Sequence, residues 1–329
     1  MSNRTPDRPS VHARTAARRP EETCPADLSA RTGPEPAPGV RLEVLRGDPP
    51  EHLFRRLLST YLAGTRSFEV TERPALSAGT REVVREFCRR TRQPEVVAEG
   101  RGALRLHEGS DCAADALDAR LLRLGQQVVA FHRQAVASWD RLSFDDDRSW
   151  ERRDDEIDRE AWYLERCIAL GEMRGLGLNR PASGAWTIAR SLERIADHAV
   201  TLGELGPRLA DLGETGSPQR ELRQFHRQAM AHLEGVLADP DGARANDLLD
   251  VGEALLTAGR ALAERLLPAV GDGSMAPAAA AAVARALEAM GRTVAYSQDI
   301  AQAFFDRSAG PSGSVGPVPA SVVAPPSVG

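Results

Sequence analysis

The pentapeptide Phe131-His132-Arg133-Gln134-Ala135 returns letter for letter as Phe225-His226-Arg227-Gln228-Ala229, an offset of 94 residues. Ala189-Arg190-Ser191-Leu192-Glu193 is echoed by Ala284-Arg285-Ala286-Leu287-Glu288, an offset of 95. A near-constant offset over so long a stretch means duplication, with one residue gained in a loop. Two like units must therefore lie side by side, and whatever one unit folds into, the other folds into as well.

Apolar residues within each unit recur at the three- and four-residue spacing of a helix buried on one face. The pattern predicts helices near 113–140, 147–172 and 182–212, then near 217–238, 243–267 and 276–307. Pro181, Pro218, Pro240 and Pro277 fall at or near helix starts, where a missing N–H costs little. Ser217 is placed to cap the fourth helix, and the Gly175–Gly177 and Gly271–Gly273 stretches fall between helices. Composition agrees, since aromatics make up only 5% while Ala, Leu, Arg and Glu dominate.

Upstream the periodicity changes. Arg41 to Leu45 and Phe68 to Glu72 alternate like strands, with helical spacing between them from His52 to Ala63. A further helix, Ser77 to Thr91, precedes short strands around Val96 and Leu104. The expected fold is mainly α: two tandem three-helix bundles, at 111–213 and 214–308, preceded by a small α/β module at 41–110. Residues 1–40, rich in Pro and charge, and the uncharged 309–329 are expected to be disordered tails.

A net charge of −5 argues against a nucleic-acid binder, and no apolar run approaches a membrane span. No signal peptide is evident, so a cytoplasmic protein is expected. No lysine occurs, so all 42 basic residues are arginine. Cys24, Cys88, Cys112 and Cys167 form no CxxC pair, which favours reduced, mostly buried thiols over structural zinc.

The charged residues that stand out are acids. Asp154 and Asp158 fall beside the apolar stripe Trp150, Ile157, Ala161, Leu164 and Ile168, with Glu165 between them, whereas Asp155 points away. On the next helix Glu193, Asp197 and Glu204 flank the stripe Ile188, Leu192, Ile195, Ala199 and Leu202. Carboxylates four residues apart repel unless a cation sits among them. Inward-facing carboxylates on paired helices can build a metal site. A solvated flank neutralised by Arg153, Arg190 and Arg194 is the other reading of the same spacing. His198 is expected to be exposed or to support a ligand rather than ligate. His132 and His226 occupy matching places, which suggests structural inheritance, and Trp162 and Trp186 are expected to pack between helices.

The strings Arg153-Asp154-Asp155-Glu156-Ile157-Asp158-Arg159 and Leu192-Glu193-Arg194-Ile195-Ala196-Asp197-His198-Ala199 resemble the paired acidic motifs of PhoU-type proteins. The likeness extends over about 41–307; Tyr61-Leu62-Ala63-Gly64 and Pro94-Glu95-Val96-Val97 look like the region before the bundles in archaeal-type members, although the Pro- and Arg-rich residues 1–40 show no trace of the AbrB-like module with which many similar proteins begin. The resemblance implies a regulator that restrains phosphate uptake, not an enzyme. It implies a homodimer whose partners are the phosphate transporter ATPase and a phosphate-sensing histidine kinase, and iron or zinc held by carboxylates. At an offset of 95, Asp154 maps to Leu249, Asp158 to Glu253, Glu193 to Glu288 and Asp197 to Arg292. The expected metal site is thus confined to the first repeat, at Asp154, Asp158, Glu193 and Asp197. In the second repeat Arg292 is expected to pair with Glu253 or Glu288 in place of a metal. A metal-dependent enzyme built on the same acids, or a metal-free helical scaffold, is the alternative.

Overall fold

The computed structural model describes residues 39–45, 47–109, 117–140, 149–173, 182–210, 212, 217–266 and 275–309. Apart from a residue or two at their inner ends, the expected tails lie outside these, as does the Ser217 side chain expected to cap a helix. The chain is mainly helical, with one small sheet ahead of the long helices.

That sheet belongs to an α/β module with β1 (Val40–Val44), α1 (Pro50–Leu62), β2 (Ser67–Glu72), α2 (Ala78–Arg90), β3 (Glu95–Glu99) and β4 (Ala103–His107). The strand order is β1-β2-β4-β3, with β1 parallel to β2 and the other pairs antiparallel. Alternation sends Phe68 and Val70 of β2, with Leu104 and Leu106 of β4, onto Leu57, Tyr61, Val84 and Phe87 of the two helices. Ser77 starts α2 by accepting a hydrogen bond from the Thr80 amide at 3.1 Å.

The long helices follow the duplication. The first set is α3 (Leu117–Ala137), α4 (Ser149–Met173) and α5 (Ala182–Glu204); the second is α7 (Ser217–Leu237), α8 (Ala245–Leu266) and α9 (Pro277–Ala309). Between them the five-residue α6 (Gly206–Ala210) continues α5 after a break. One unbroken helix was expected over 182–212; Pro207 supplies no N–H to the ladder, so the run ends and restarts. Equivalent helices meet across the duplication, α3 against α7 and α5 against α9, while α4 and α8 lie to the outside. At the centre the repeated histidines meet: the rings of His132 and His226 stack with centroids 5.7 Å apart. His132 also bonds the Ile195 carbonyl at 2.8 Å.

The module sits on α4 through α1 and α2. Trp162 of α4 belongs to the module's own apolar core. Beside it Arg166, fully buried, pairs with the equally buried Glu108, donates to the Tyr61 carbonyl and lies 4.6 Å above the Tyr61 ring. Cys167 is disulfide-bonded, which corrects the expectation of reduced thiols; its partner lies outside the described residues. Cys88 is free, and burial pushes its thiol up to about 11. Among the described residues no helix is long and apolar enough to cross a membrane.

Candidate functional site

The four acids singled out in the sequence all stand along the groove between α4 and α5. Packing of Ile157, Ala161, Leu164 and Ile168 against Ile188, Leu192, Ile195 and Ala199 fixes the two helices, and the acids line the margin of that contact. Burial and mutual repulsion both act on them. Asp154 is pushed up to about 8, first by burial and then by the charges of Asp158, Asp197 and Glu193. Burial also carries Glu193 to about 7, helped by Asp197 and Asp158. Asp158 reaches only about 6, because Arg90 opposes its burial. Asp197, the most exposed, is raised by desolvation and held back by Arg194. Burial thus raises all four, and like charges add to it at Asp154, Glu193 and Asp158.

Arg90 is the residue that sequence reasoning missed. It ends α2, a helix of the module in which no functional chemistry was expected. Its guanidinium lies against the edge-to-face pair of Phe54 and Trp162, 5.6 Å from the first ring and 5.3 Å from the second. From there it reaches Asp155 at 3.0 Å and Asp158 at 3.1 Å. Arg89 adds a contact to Asp155 at 3.4 Å, and Arg92 pairs with Glu160 at 2.6 Å. Asp155, expected to face water, therefore helps to dock the module. Of the arginines expected to neutralise the groove, Arg153 lies 4.0 Å from Glu156 and Arg190 turns to Glu165 at 3.5 Å. Arg194 stands over the Tyr296 ring.

As donors these groups suit a cation. They are carboxylate oxygens, and both Asp154 Oδ1 and Asp158 Oδ1 are buried without a hydrogen bond. Their spacing is another matter. Among the described residues no three His, Cys, Asp or Glu side chains converge closely enough to cage a metal, and Arg90 already claims one oxygen of Asp158.

In the second set the expected replacement of a metal by Arg292 does not occur. Among the described residues no ion pair joins Arg292 to Glu253 or Glu288; its guanidinium lies 5.6 Å from the Tyr296 ring, and Glu253 pairs with Arg260 at 3.8 Å. Tyr296 lies one turn beyond Arg292 and offers its ring, while Glu253 sits on the exposed side of α8. His198 is half-buried, stacks on Tyr296 with centroids 5.9 Å apart and is lowered by burial and by Arg292. Trp162 packs as expected, but Trp186 is 44% exposed and does not.

Fold and groove together define a duplicated helical bundle with one acidic inter-helix margin and a docked α/β module. Residues 121–205, from α3 to just past the end of α5, match the family model described as PhoU domain, consistent with a PhoU-type protein. All four groove acids fall within the match. No curated protein matches the chain. The PhoU domain points to a role in the regulation of phosphate homeostasis.

Proposed function

We propose that this protein restrains phosphate import when phosphate is plentiful, acting as a homodimer in the cytoplasm on the phosphate transporter ATPase and a phosphate-sensing histidine kinase. The observation that carries the reading is the PhoU-domain match at 121–205, which coincides with the helices that assemble the acidic groove. Within the groove Asp154, Asp158, Glu193 and Asp197 would hold a single iron or zinc ion only by drawing together from the spacing they have here and by taking Asp158 from Arg90. The ion would supply positive charge that lets buried carboxylates stay ionised and would tie α4 to α5. The chain's own contribution is to keep the acids crowded and half-dry, so that a bound cation would relieve a repulsion that is otherwise met by holding protons.

Phosphate uptake in a deletion strain grown with abundant phosphate tests the reading. Runaway uptake, reversed by the intact gene, is the expected result; uptake equal to that of the parent would overturn it. Metal content of the purified protein, compared with Asp158→Ala and Asp197→Ala, tests the ion separately. Equal content in all three would remove the proposed ligands.

A further inference from the structure

Two turns beyond Asp158 on α4, the groove opens into a cavity of about 640 Å³ walled by α1, α4 and α5. That volume lies inside the range of about 300–1,000 Å³ typical of small-molecule sites. Its apolar side is made by residues such as Leu58 and Ile168. On the α5 wall stands Trp186, 44% exposed although it is the largest apolar side chain there.

Trp186 is nonetheless held in place. The Arg190 guanidinium stacks 4.4 Å from the centre of its ring, and Arg190 Nε lies 3.5 Å from Glu165 Oε2. Glu165 is 3% exposed, and its buried Oε2 has that ionic contact but no hydrogen bond. A buried carboxylate thus holds the guanidinium that stacks on the indole, while both groups keep surface on the cavity. Burial of Trp186 does not account for this arrangement, since nearly half the side chain meets no protein. A preorganised flat platform is what stacking recognition needs, because the ordering cost has been met before the ligand arrives. On the α1 wall Arg55 is exposed and, among the described residues, has neither an ion pair nor a hydrogen bond. Glu165 neutralises Arg190, so Arg55 is the uncommitted cation; the remaining wall acid, Glu172, is exposed.

We infer that this cavity binds a small organic anion with a flat ring system, the ring on the Trp186–Arg190 platform and the anionic group at Arg55. A nucleotide and an aromatic carboxylate share that chemistry, so both are tested. Calorimetry on the full chain would use AMP and salicylate, with adenosine, which lacks the anion, and ribose 5-phosphate, which lacks the ring. Saturable binding of AMP, salicylate or both is expected; a response to salicylate alone identifies the non-nucleotide source. If AMP binds, adenosine and ribose 5-phosphate should each bind about tenfold more weakly. Trp186→Leu should weaken every ligand that carries a ring, whereas Arg55→Ala should weaken AMP and salicylate and leave adenosine unchanged. Arg55 and Trp186 are exposed enough for both variants to fold, which an unchanged melting midpoint verifies. No saturable heat from either AMP or salicylate up to about 5 mM, or binding unaltered in both variants, would overturn the inference.

Discussion

The helices α4 and α8 are products of one duplication and lie at equivalent places outside their bundles, yet they have become different things. In α4, 12 of 25 residues are buried, among them Asp158, Glu165 and Arg166; in α8 only 5 of 22 are, all of them apolar. The difference lies outside the helices. The α/β module covers the outer face of α4, while α8 touches only α7 and α9 among its principal neighbours. The same helix frame carries perturbed, crowded carboxylates where a neighbour excludes water, and solvated ones, such as Glu253 beside Arg260, where none does. Burial supplied by another module, more than the acidic pattern itself, makes the groove unusual.

The largest test of that contrast is to remove one partner of the buried pair beneath the module. Glu108→Ala leaves Arg166 charged and dry, and should cost about 3–5 kcal/mol in urea unfolding. The inner faces, which the two halves share, should respond alike. His132 is held down at about 4 and His226 at about 3, in each case chiefly by burial. Both folded values lie below the unfolded one near 6.5, so the unfolded state takes up protons first and stability falls as pH drops. The loss should be about 2 kcal/mol per histidine between pH 7 and pH 5, and His132→Gln or His226→Gln should each remove about half of the total. A flat profile would show that the stacked pair is not dry.

Smaller effects separate the outer helices further. Arg90→Ala should cost about 1–3 kcal/mol and move the Asp158 carboxyl above its value of about 6, readable by carbon-detected NMR titration. An unchanged Asp158 would mean that the module does not tune the groove. Asp154 titrates near 8, above its unfolded value, so its folded-state advantage is complete below about pH 4 and is lost as pH rises through 8. Asp154→Asn should therefore raise the melting midpoint at pH 8.5 and leave it nearly unaltered at pH 4. On α8, Glu253→Ala should shift stability by less than about 0.5 kcal/mol at any of these pH values. A loss as large as that of Glu108→Ala would erase the contrast.

Element by element, the helices and strands were legible because each declares itself within its own few turns. Apolar residues three and four apart in α3, α4, α5, α7, α8 and α9, and alternation in β1 and β2, need no knowledge of the rest of the chain. The acids of the groove were legible for the same reason, since Asp154 and Asp158 are set beside the stripe by helical geometry alone. What neutralises them was not. Arg153, Arg190 and Arg194 are near in sequence, but the cation that reaches Asp158 is Arg90, on another module and 68 residues away. Likewise Arg166 and Glu108 are 58 residues apart, and nothing local marks either as buried. Arg292 turned to an aromatic ring on its own helix, a choice that charge pairing on paper does not reveal. Trp186 escaped because spacing shows that a residue is near a margin, not whether that margin is filled.

The stacking of His132 on His226 has a further consequence for how this chain keeps its shape. Helices that meet their own copies form the kind of self-complementary contact by which two separate molecules make a symmetric dimer. Here both copies are on one chain, so the contact forms at the effective concentration set by the tether and not at the concentration of protein in solution. Such an interface need not be strong enough to survive dilution, and it does not require its two sides to remain identical. One side was thus free to keep its acids and acquire a covering module while the other gave them up.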